Sequence, residues 1–342
     1  MHRRQFVTLS AAAATTAALS GCSNSEQKPP DSPKQGFKMS GFGPESTAEQ
    51  VTLGLDLTGK TALVTGCNSG LGLESMRVLA LRGAHVIGSG RTLEKARAAC
   101  ASVPGKTTPV ALELSDFASV KRCADEVLAL GLPLDILMLN AGISGGEKKR
   151  TVNGIELAFL VNYLGHFLLT RRLLPAVERA PEGRVVHVSS RAAYQTAPPE
   201  GIRFDTLGEG DGGHEYDVLE NYGQSKLANA LFSLKLAREY KGSSVTSNSL
   251  HPGFVQTGID RGLTGWRRFL FGAARTVTAK SAEEGAATQC YAATHPAMEG
   301  ITGQYLVDSN VVQVDVPSHM ENTELANQLW EYSEQLVADY LA

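Results

Sequence analysis

The stretch that most narrows the fold is Lys60-Thr-Ala-Leu-Val-Thr-Gly66, which runs into Cys67-Asn-Ser-Gly70-Leu-Gly72. An apolar run rich in β-branched residues and bounded by glycines reads as a buried strand. Beyond Gly72, Leu73, Met76, Val78, Leu79 and Leu81 follow in a helical pattern. Strand, glycine turn and helix in succession leave helix N–H groups free at the positive end of the helix dipole, and the glycines let a pyrophosphate approach the backbone. A glycine turn used only for tight packing is the weaker reading in this context. Gly66, Asn68, Ser69, Gly70, Leu71 and Gly72 are therefore candidate cofactor contacts.

Further strand-like runs occur at Gly83–Arg91, Pro109–Leu114 and Leu134–Gly142, with helical patterns between them. This rhythm predicts an α/β fold with a doubly wound, mainly parallel sheet. The second run ends in Ser89-Gly90-Arg91-Thr92, where a carboxylate would mark NAD by accepting from a ribose 2′-OH. A guanidinium suits a 2′-phosphate, so Arg91 favours NADP(H). Asn140, Ala141 and Gly142 close the fourth run, at the strand end where nucleotides bind in such sheets.

The 342 residues, 42% of them hydrophobic, supply a large core, and α/β folds of this size form as one unit. A net charge of −3 leaves no basic footprint for nucleic acid. Five cysteines without a C-x-x-C pair give no disulfide framework, and the scattered histidines lack metal-ligand spacing.

The first residues read as an address. Arg3-Arg4-Gln5-Phe6-Val7 resembles a twin-arginine signal, Ala11 to Leu19 is a short apolar run, and Leu19-Ser-Gly-Cys22 resembles a bacterial lipobox. Residues 1–22 are thus expected to direct export, with Cys22 lipidated and holding the protein to a membrane, periplasmic rather than cytoplasmic. Residues 23–45, rich in Pro, Gly and Ser, are expected to be a flexible tether, and residues 46–342 the catalytic domain. Ser46-Thr-Ala-Glu49 has capping-box spacing.

Tyr222-Gly-Gln-Ser-Lys226 opens a helical pattern through Leu227, Ala230, Leu231 and Leu234. Spacing of i and i+4 sets the phenol beside the ammonium, and a fixed cation is expected to pull the phenol pKa down towards useful acid–base chemistry. The same spacing also occurs in ordinary surface pairs.

Four separated motifs give the pair partners. Thr65–Gly72, Leu139–Gly142, Val161–Phe167 and Arg184–Ser190, followed by Tyr222–Lys226 and His251–Thr257, resemble in order the motifs of the short-chain dehydrogenase/reductases. The retinol-dehydrogenase-like group is the most similar, sharing TVNGIELAFLVNYLGHFLLT, SAEEGA and EGITGQY. The resemblance implies a Rossmann-like fold and assigns Asn162, Ser190, Tyr222 and Lys226 as catalytic residues. Ser190 would hydrogen-bond the substrate oxygen and Tyr222 would transfer the proton. Lys226 would also hold the nicotinamide ribose, and Asn162 would fix a relay water. It adds Glu113 and Leu114 beside the adenine, Pro252, Gly253 and Thr257 beside the nicotinamide, and a homodimer or homotetramer as the assembly.

Leu139 replaces the family's first asparagine, Glu113 stands where many members have aspartate, and the spacer Arg191–Asn221 is long. Ile259–Lys280, with Trp266, Phe269 and Phe271 beside Arg267 and Arg268, falls where the family keeps a substrate lid, which is the favoured reading; the rival, compatible with it, rests this basic amphipathic stretch on an anionic membrane. The implied reaction is NADP(H)-dependent interconversion of carbonyl and alcohol on a hydrophobic small molecule, an alcohol, aldehyde or ketone. Reduction of a C=C bond, as in the light-dependent pigment reductases, and a nucleotide-binding sensor without turnover are the alternatives.

Overall fold

The computed structural model describes residues 30–146, 148–210, 212–255 and 279–341. The leader with Cys22, Thr257 and most of the expected lid lie outside the described residues.

The described residues open with strand β1 (Asp31–Pro33) and the short helix α1 (Ala48–Val51), and strands and helices then alternate through the first half. Strand β2 (Thr61–Val64), helix α2 (Gly70–Leu81), β3 (His85–Gly90), α3 (Leu93–Ala101), β4 (Thr107–Ala111), α4 (Phe117–Ala129) and β5 (Ile136–Leu139) form the first half. A two-residue-per-strand hairpin, β6 (Thr151–Val152) and β7 (Ile155–Glu156), leads through α5 (Leu157–Phe159) and a π-turn at Leu160–Leu164 into α6 (Gly165–Glu178). The second half continues with β8 (Gly183–Val188), α7 (Ala192–Gln195), α8 (Val218–Glu239) and β9 (Val245–His251). After it come α9 (Ala282–Gly285), α10 (Ala287–Thr294), the hairpin β10 (Tyr305–Val307) and β11 (Asn310–Val314), and α11 (Thr323–Leu341).

The sheet order is β1-β11-β10-β9-β8-β5-β2-β3-β4. The seven strands from β10 to β4 are parallel, and β11 and β1 extend one edge through two antiparallel pairings, so that β11 alone runs against the rest. Parallel strands are covered on both faces, which is why Thr61–Val64, Ile136–Leu139 and Gly183–Val188 are buried at every position. One apolar cluster, including Phe159, Tyr163, Phe167 and Phe232, packs α4, α6, α8 and α11 on one face. A second, including Met76, Leu79 and Tyr291, packs α1, α2 and α10 on the other. The doubly wound, mainly parallel, single-domain expectation is met. Strand order reverses between β2 and β5, so the crevice at their carboxyl ends is the natural ligand position.

Two local expectations are corrected. The expected tether is not free throughout: Asp31–Pro33 pairs with Val312–Val314, so the ordered domain starts well before Ser46. Its polar, proline-bearing sequence hides this because an edge strand needs neither an apolar run nor every N–H. The capping box lies one residue on, between Thr47 and Gln50, whose side chains and backbones bond reciprocally. Ser46 is taken by another duty, accepting from the Gly43 N–H at 3.0 Å.

Candidate active site

The glycine turn at the end of β2 has the shape its sequence predicts. Gly66 and Gly70 have φ of +73° and +58°, a region that favours glycine. A Cβ on Gly72 would lie 2.3 Å from the Gly66 carbonyl oxygen and 2.6 Å from Asn140 Nδ2, so only glycine lets α2 approach the strand ends this closely. Ser69 caps α2 by backbone alone, with no side-chain bond, which leaves the first helical N–H groups facing the turn. Asn68 and Ser69 are exposed and Leu71 is half-buried against Gly285. Ser89 ties the turn to β3, its carbonyl accepting from Cys67 N at 2.8 Å and its hydroxyl from Gly66 N at 3.4 Å. Arg91, two residues further, is exposed. This set of open N–H groups, left-handed glycines and a nearby exposed guanidinium fits a dinucleotide.

Asn140 and Ala141 are fixed to the turn through Thr65. The Thr65 hydroxyl accepts from both of their N–H groups at 2.9 Å, and Asn140 Nδ2 donates to the Thr65 carbonyl at 2.8 Å. With both lone pairs used, that hydroxyl gives its proton to His166 Nε2 at 2.9 Å. His166 therefore carries its own proton on Nδ1 and donates it to the Asn162 carbonyl at 3.0 Å. Burial pulls the His166 pKa down to about 4, Lys226 adds to this and the Asn162 carbonyl opposes it, so the ring is neutral.

Asn162 lies in the π-turn and is fully buried. Its Nδ2 donates to the Ile143 carbonyl and to Ser225 Oγ, both at 2.9 Å, while Oδ1 accepts from Ile143 N at 2.8 Å. Ser225 in turn donates to the Tyr222 carbonyl at 2.7 Å. Both amide donors are thus committed to protein, and the side chain locks two helices together. A Cβ on Gly142 would meet Asn162 Oδ1 at 3.2 Å and Lys226 Nζ at 3.4 Å, which puts the segment leaving β5 directly against both groups.

Tyr222 is on the second turn of α8, whose N-cap is Asp217. The helix thus opens earlier than the sequence pattern placed it. Gly223 packs on the end of α7, where a Cβ would come within 2.5 Å of Ala197 N. Lys226 is buried, with its ammonium donating to the Val188 carbonyl at 3.0 Å and lying 5.7 Å from the centre of the Tyr222 ring.

The electrostatics reverse one expectation. Burial pushes the Tyr222 phenol up to about 12, and the hydrogen bond from Ser190 opposes it only in part. Burial also pulls Lys226 down to about 8. The i, i+4 spacing does bring the pair together, but the cation is itself desolvated and directed at a carbonyl, so it does not lower the phenol. The phenol keeps its proton at neutral pH.

Of the other predicted contacts, Glu113 is partly committed, one carboxylate oxygen accepting from Ser115 N at 3.1 Å and Oγ at 2.7 Å. Leu114 is buried, its carbonyl against Gly165. Pro252 and Gly253 follow β9, and Gly253, at φ +93°, packs under the Lys280 side chain. Lys280 also pairs with Val255 across the base of the 256–278 segment and with Asp308 at 2.5 Å. The long spacer after Ser190 is ordered around Arg203, which bonds Glu220 at 2.7 Å and donates from its backbone to Gln224. The sequence shows neither the linking role of Thr65 nor any role for His166 and Ser225, although His166 stands one helical turn after Asn162.

The sequence profile of the short chain dehydrogenase family matches residues 60–201. A chloroplastic short-chain dehydrogenase of Brassica napus, TIC 32 B, is 40% identical over 311 residues, covering 87% of this chain and 95% of the relative. Human retinol dehydrogenase 14 is 36% identical over 309 residues, covering 82% and 86%. A solved structure of an uncharacterised protein from Mycobacterium Paratuberculosis superposes with a TM-score of 0.66 at 31% identity, covering 84% of this chain and 97% of that one. The chain belongs to the short-chain dehydrogenase family of oxidoreductases, as its glycine turn, parallel sheet and Ser190–Tyr222–Lys226 cluster foretold.

Proposed function

We propose that the protein is an NADP(H)-dependent oxidoreductase that reduces the carbonyl of a hydrophobic aldehyde or ketone to an alcohol. The observation that carries this reading is the Tyr222 phenol, hydrogen-bonded to Ser190 with the Lys226 ammonium one turn below it. Bound NADPH would supply the hydride. The glycine turn of Gly66–Gly72 would hold its pyrophosphate, Arg91 its 2′-phosphate and Lys226 its nicotinamide ribose. Asn140, Ala141 and Gly142 would line the crevice where the two halves meet, with Glu113 and Leu114 at the adenine end and Pro252 and Gly253 at the nicotinamide end.

In the reaction, Ser190 donates to the substrate oxygen and stabilises the negative charge that develops there. Tyr222 delivers its proton to that oxygen. Burial, which holds the phenol up at about 12, keeps the acid loaded at neutral pH. Lys226, pulled down to about 8, is a ready proton source behind the phenol. Asn162 holds Ser225 and the start of the Ile143 segment, and so the spacing between Tyr222 and the cradle.

The leader adds a place. Residues 1–22 are proposed to send the folded protein out through the twin-arginine route, and lipid on Cys22 to hold it to a membrane, with cofactor bound before export. Purified protein is expected to oxidise NADPH with hydrophobic aldehydes and to prefer NADPH to NADH, with Arg91→Asp weakening NADPH binding by about tenfold or more. Equal use of both cofactors, unaffected by Arg91→Asp, would overturn the cofactor assignment. Turnover of enones alone would favour C=C reduction.

A further inference from the structure

Arg191, which directly follows Ser190, is held from an unforeseen direction. Its guanidinium donates to the Asp31 carboxylate through Nε at 2.9 Å and Nη2 at 3.1 Å, a two-pronged fork. The Tyr194 hydroxyl donates to the same carboxylate at 2.7 Å. Asp31 belongs to β1, the first strand of the described residues, and its side chain is only 7% exposed. Arg191 and Tyr194 lie 160 and 163 residues away in sequence, at the start and the third residue of the single-turn helix α7.

That turn sets the serine. Ser190 Oγ accepts from Ala192 N at 3.2 Å, and its carbonyl accepts from Ala193 N at 3.0 Å. Before it, Ser189 is fixed by the sheet, its N–H to the Leu250 carbonyl at 2.8 Å and its hydroxyl to the Lys226 carbonyl at 2.7 Å. After it, a four-residue helix has little cohesion of its own. The far end of α7 abuts Gly223, next to Tyr222. A carboxylate buried in a three-residue edge strand gains little net stability from its ion pair, because desolvation offsets most of the attraction. What three directed hydrogen bonds on one carboxylate do supply is orientation. Burial and then the Asp31 charge hold the Tyr194 hydroxyl well above the usual range, so it remains a donor throughout.

We infer that Asp31 is a positioning residue for the Ser190 turn, through which the strand joining the leader to the domain aims the serine at Tyr222. The role rests on the proposed reaction, but its geometry can be tested apart from turnover. In the full chain, Asp31→Ala is expected to speed hydrogen exchange of the amides in residues 189–197 by about tenfold or more, leaving β2 and β3 unchanged. The NADPH dissociation constant, read by fluorescence, should stay within about twofold, while the single-turnover rate with nonanal or all-trans-retinal as probe falls about tenfold. Asp31→Asn should fall between Asp31→Ala and the unaltered protein, and Asp31→Glu should recover part of the loss. Unchanged exchange at 189–197 overturns the inference. So does faster exchange across the whole sheet with loss of NADPH binding in both Asp31→Ala and Asp31→Asn, which marks a merely structural residue. Absence of turnover by the unaltered protein with both probes counts against the proposed reaction instead, and exchange with NADPH binding then decides the role of Asp31.

Discussion

Gly72→Ala probes whether the glycine turn is built to the tolerance a dinucleotide site needs. The added Cβ would lie 2.3 Å from the Gly66 oxygen, 2.6 Å from Asn140 Nδ2 and 2.9 Å from the Gly66 carbonyl carbon. Two of these atoms are backbone, and the third is bonded to the Thr65 carbonyl, so none can swing aside. Real Cβ atoms stay beyond about 3.0 Å, so α2 and the turn must part by about 0.7 Å. Overpacking of this kind costs about 1–3 kcal/mol of stability. The same displacement moves the α2 N-terminus away from the pyrophosphate position, and misplacement approaching 1 Å can cost about 100-fold where geometry matters. The assay pairs thermal unfolding with NADPH titration by fluorescence. A folded variant with a lowered midpoint and NADPH affinity weaker by about tenfold or more fits the reasoning. Unaltered NADPH affinity in a folded variant would refute it, because the close approach would then serve packing alone.

Two further predictions follow from the same geometry. Gly142→Ala places its Cβ 3.2 Å from Asn162 Oδ1 and 3.4 Å from Lys226 Nζ, contacts that small shifts relieve. It should leave folding nearly intact and lower kcat more than it changes NADPH affinity; the reverse ordering would contradict the placement of Asn162 and Lys226. Burial holds His166 at about 4 and His187 and His251 at about 3, all below the ordinary 6.5. In the window between 6.5 and these values the unfolded chain binds protons that the native state refuses, so stability must fall as pH drops from about 6.5 towards 4. At pH 5.5 each histidine contributes on the order of 1 kcal/mol to that loss. A urea midpoint that stays flat between pH 7 and pH 5.5 would contradict the burial of these rings in neutral form.

The parts of this molecule that local chemistry dictates could be read in the sequence. Lys60–Gly72 announces strand, turn and helix because burial on both faces, left-handed backbone and helical spacing each leave a local mark. Asn140–Gly142 at a strand end and Tyr222–Lys226 on one helix face are legible for the same reason. What escaped depends on distance or burial. Asp31 meets Arg191 only because β1 pairs with β11 at the far edge, and a polar, proline-bearing stretch gives no hint of it. The π-turn at Asn162 leaves no glycine or proline signal, so the link from Thr65 through His166 to its carbonyl was invisible. The sign of the Tyr222 shift is not legible in the sequence, because spacing shows a neighbouring cation but not the desolvation that outweighs it.

The central claim is that Tyr222 is the proton donor of a carbonyl reduction. Its most direct test is Tyr222→Phe, which removes the hydroxyl and keeps the ring against Lys226. Single-turnover NADPH oxidation should be measured with the best aldehyde of a panel, alongside NADPH binding. The account predicts NADPH affinity within about twofold of the unaltered protein and a rate lowered by about 100-fold or more. Turnover close to that of the unaltered protein would contradict it.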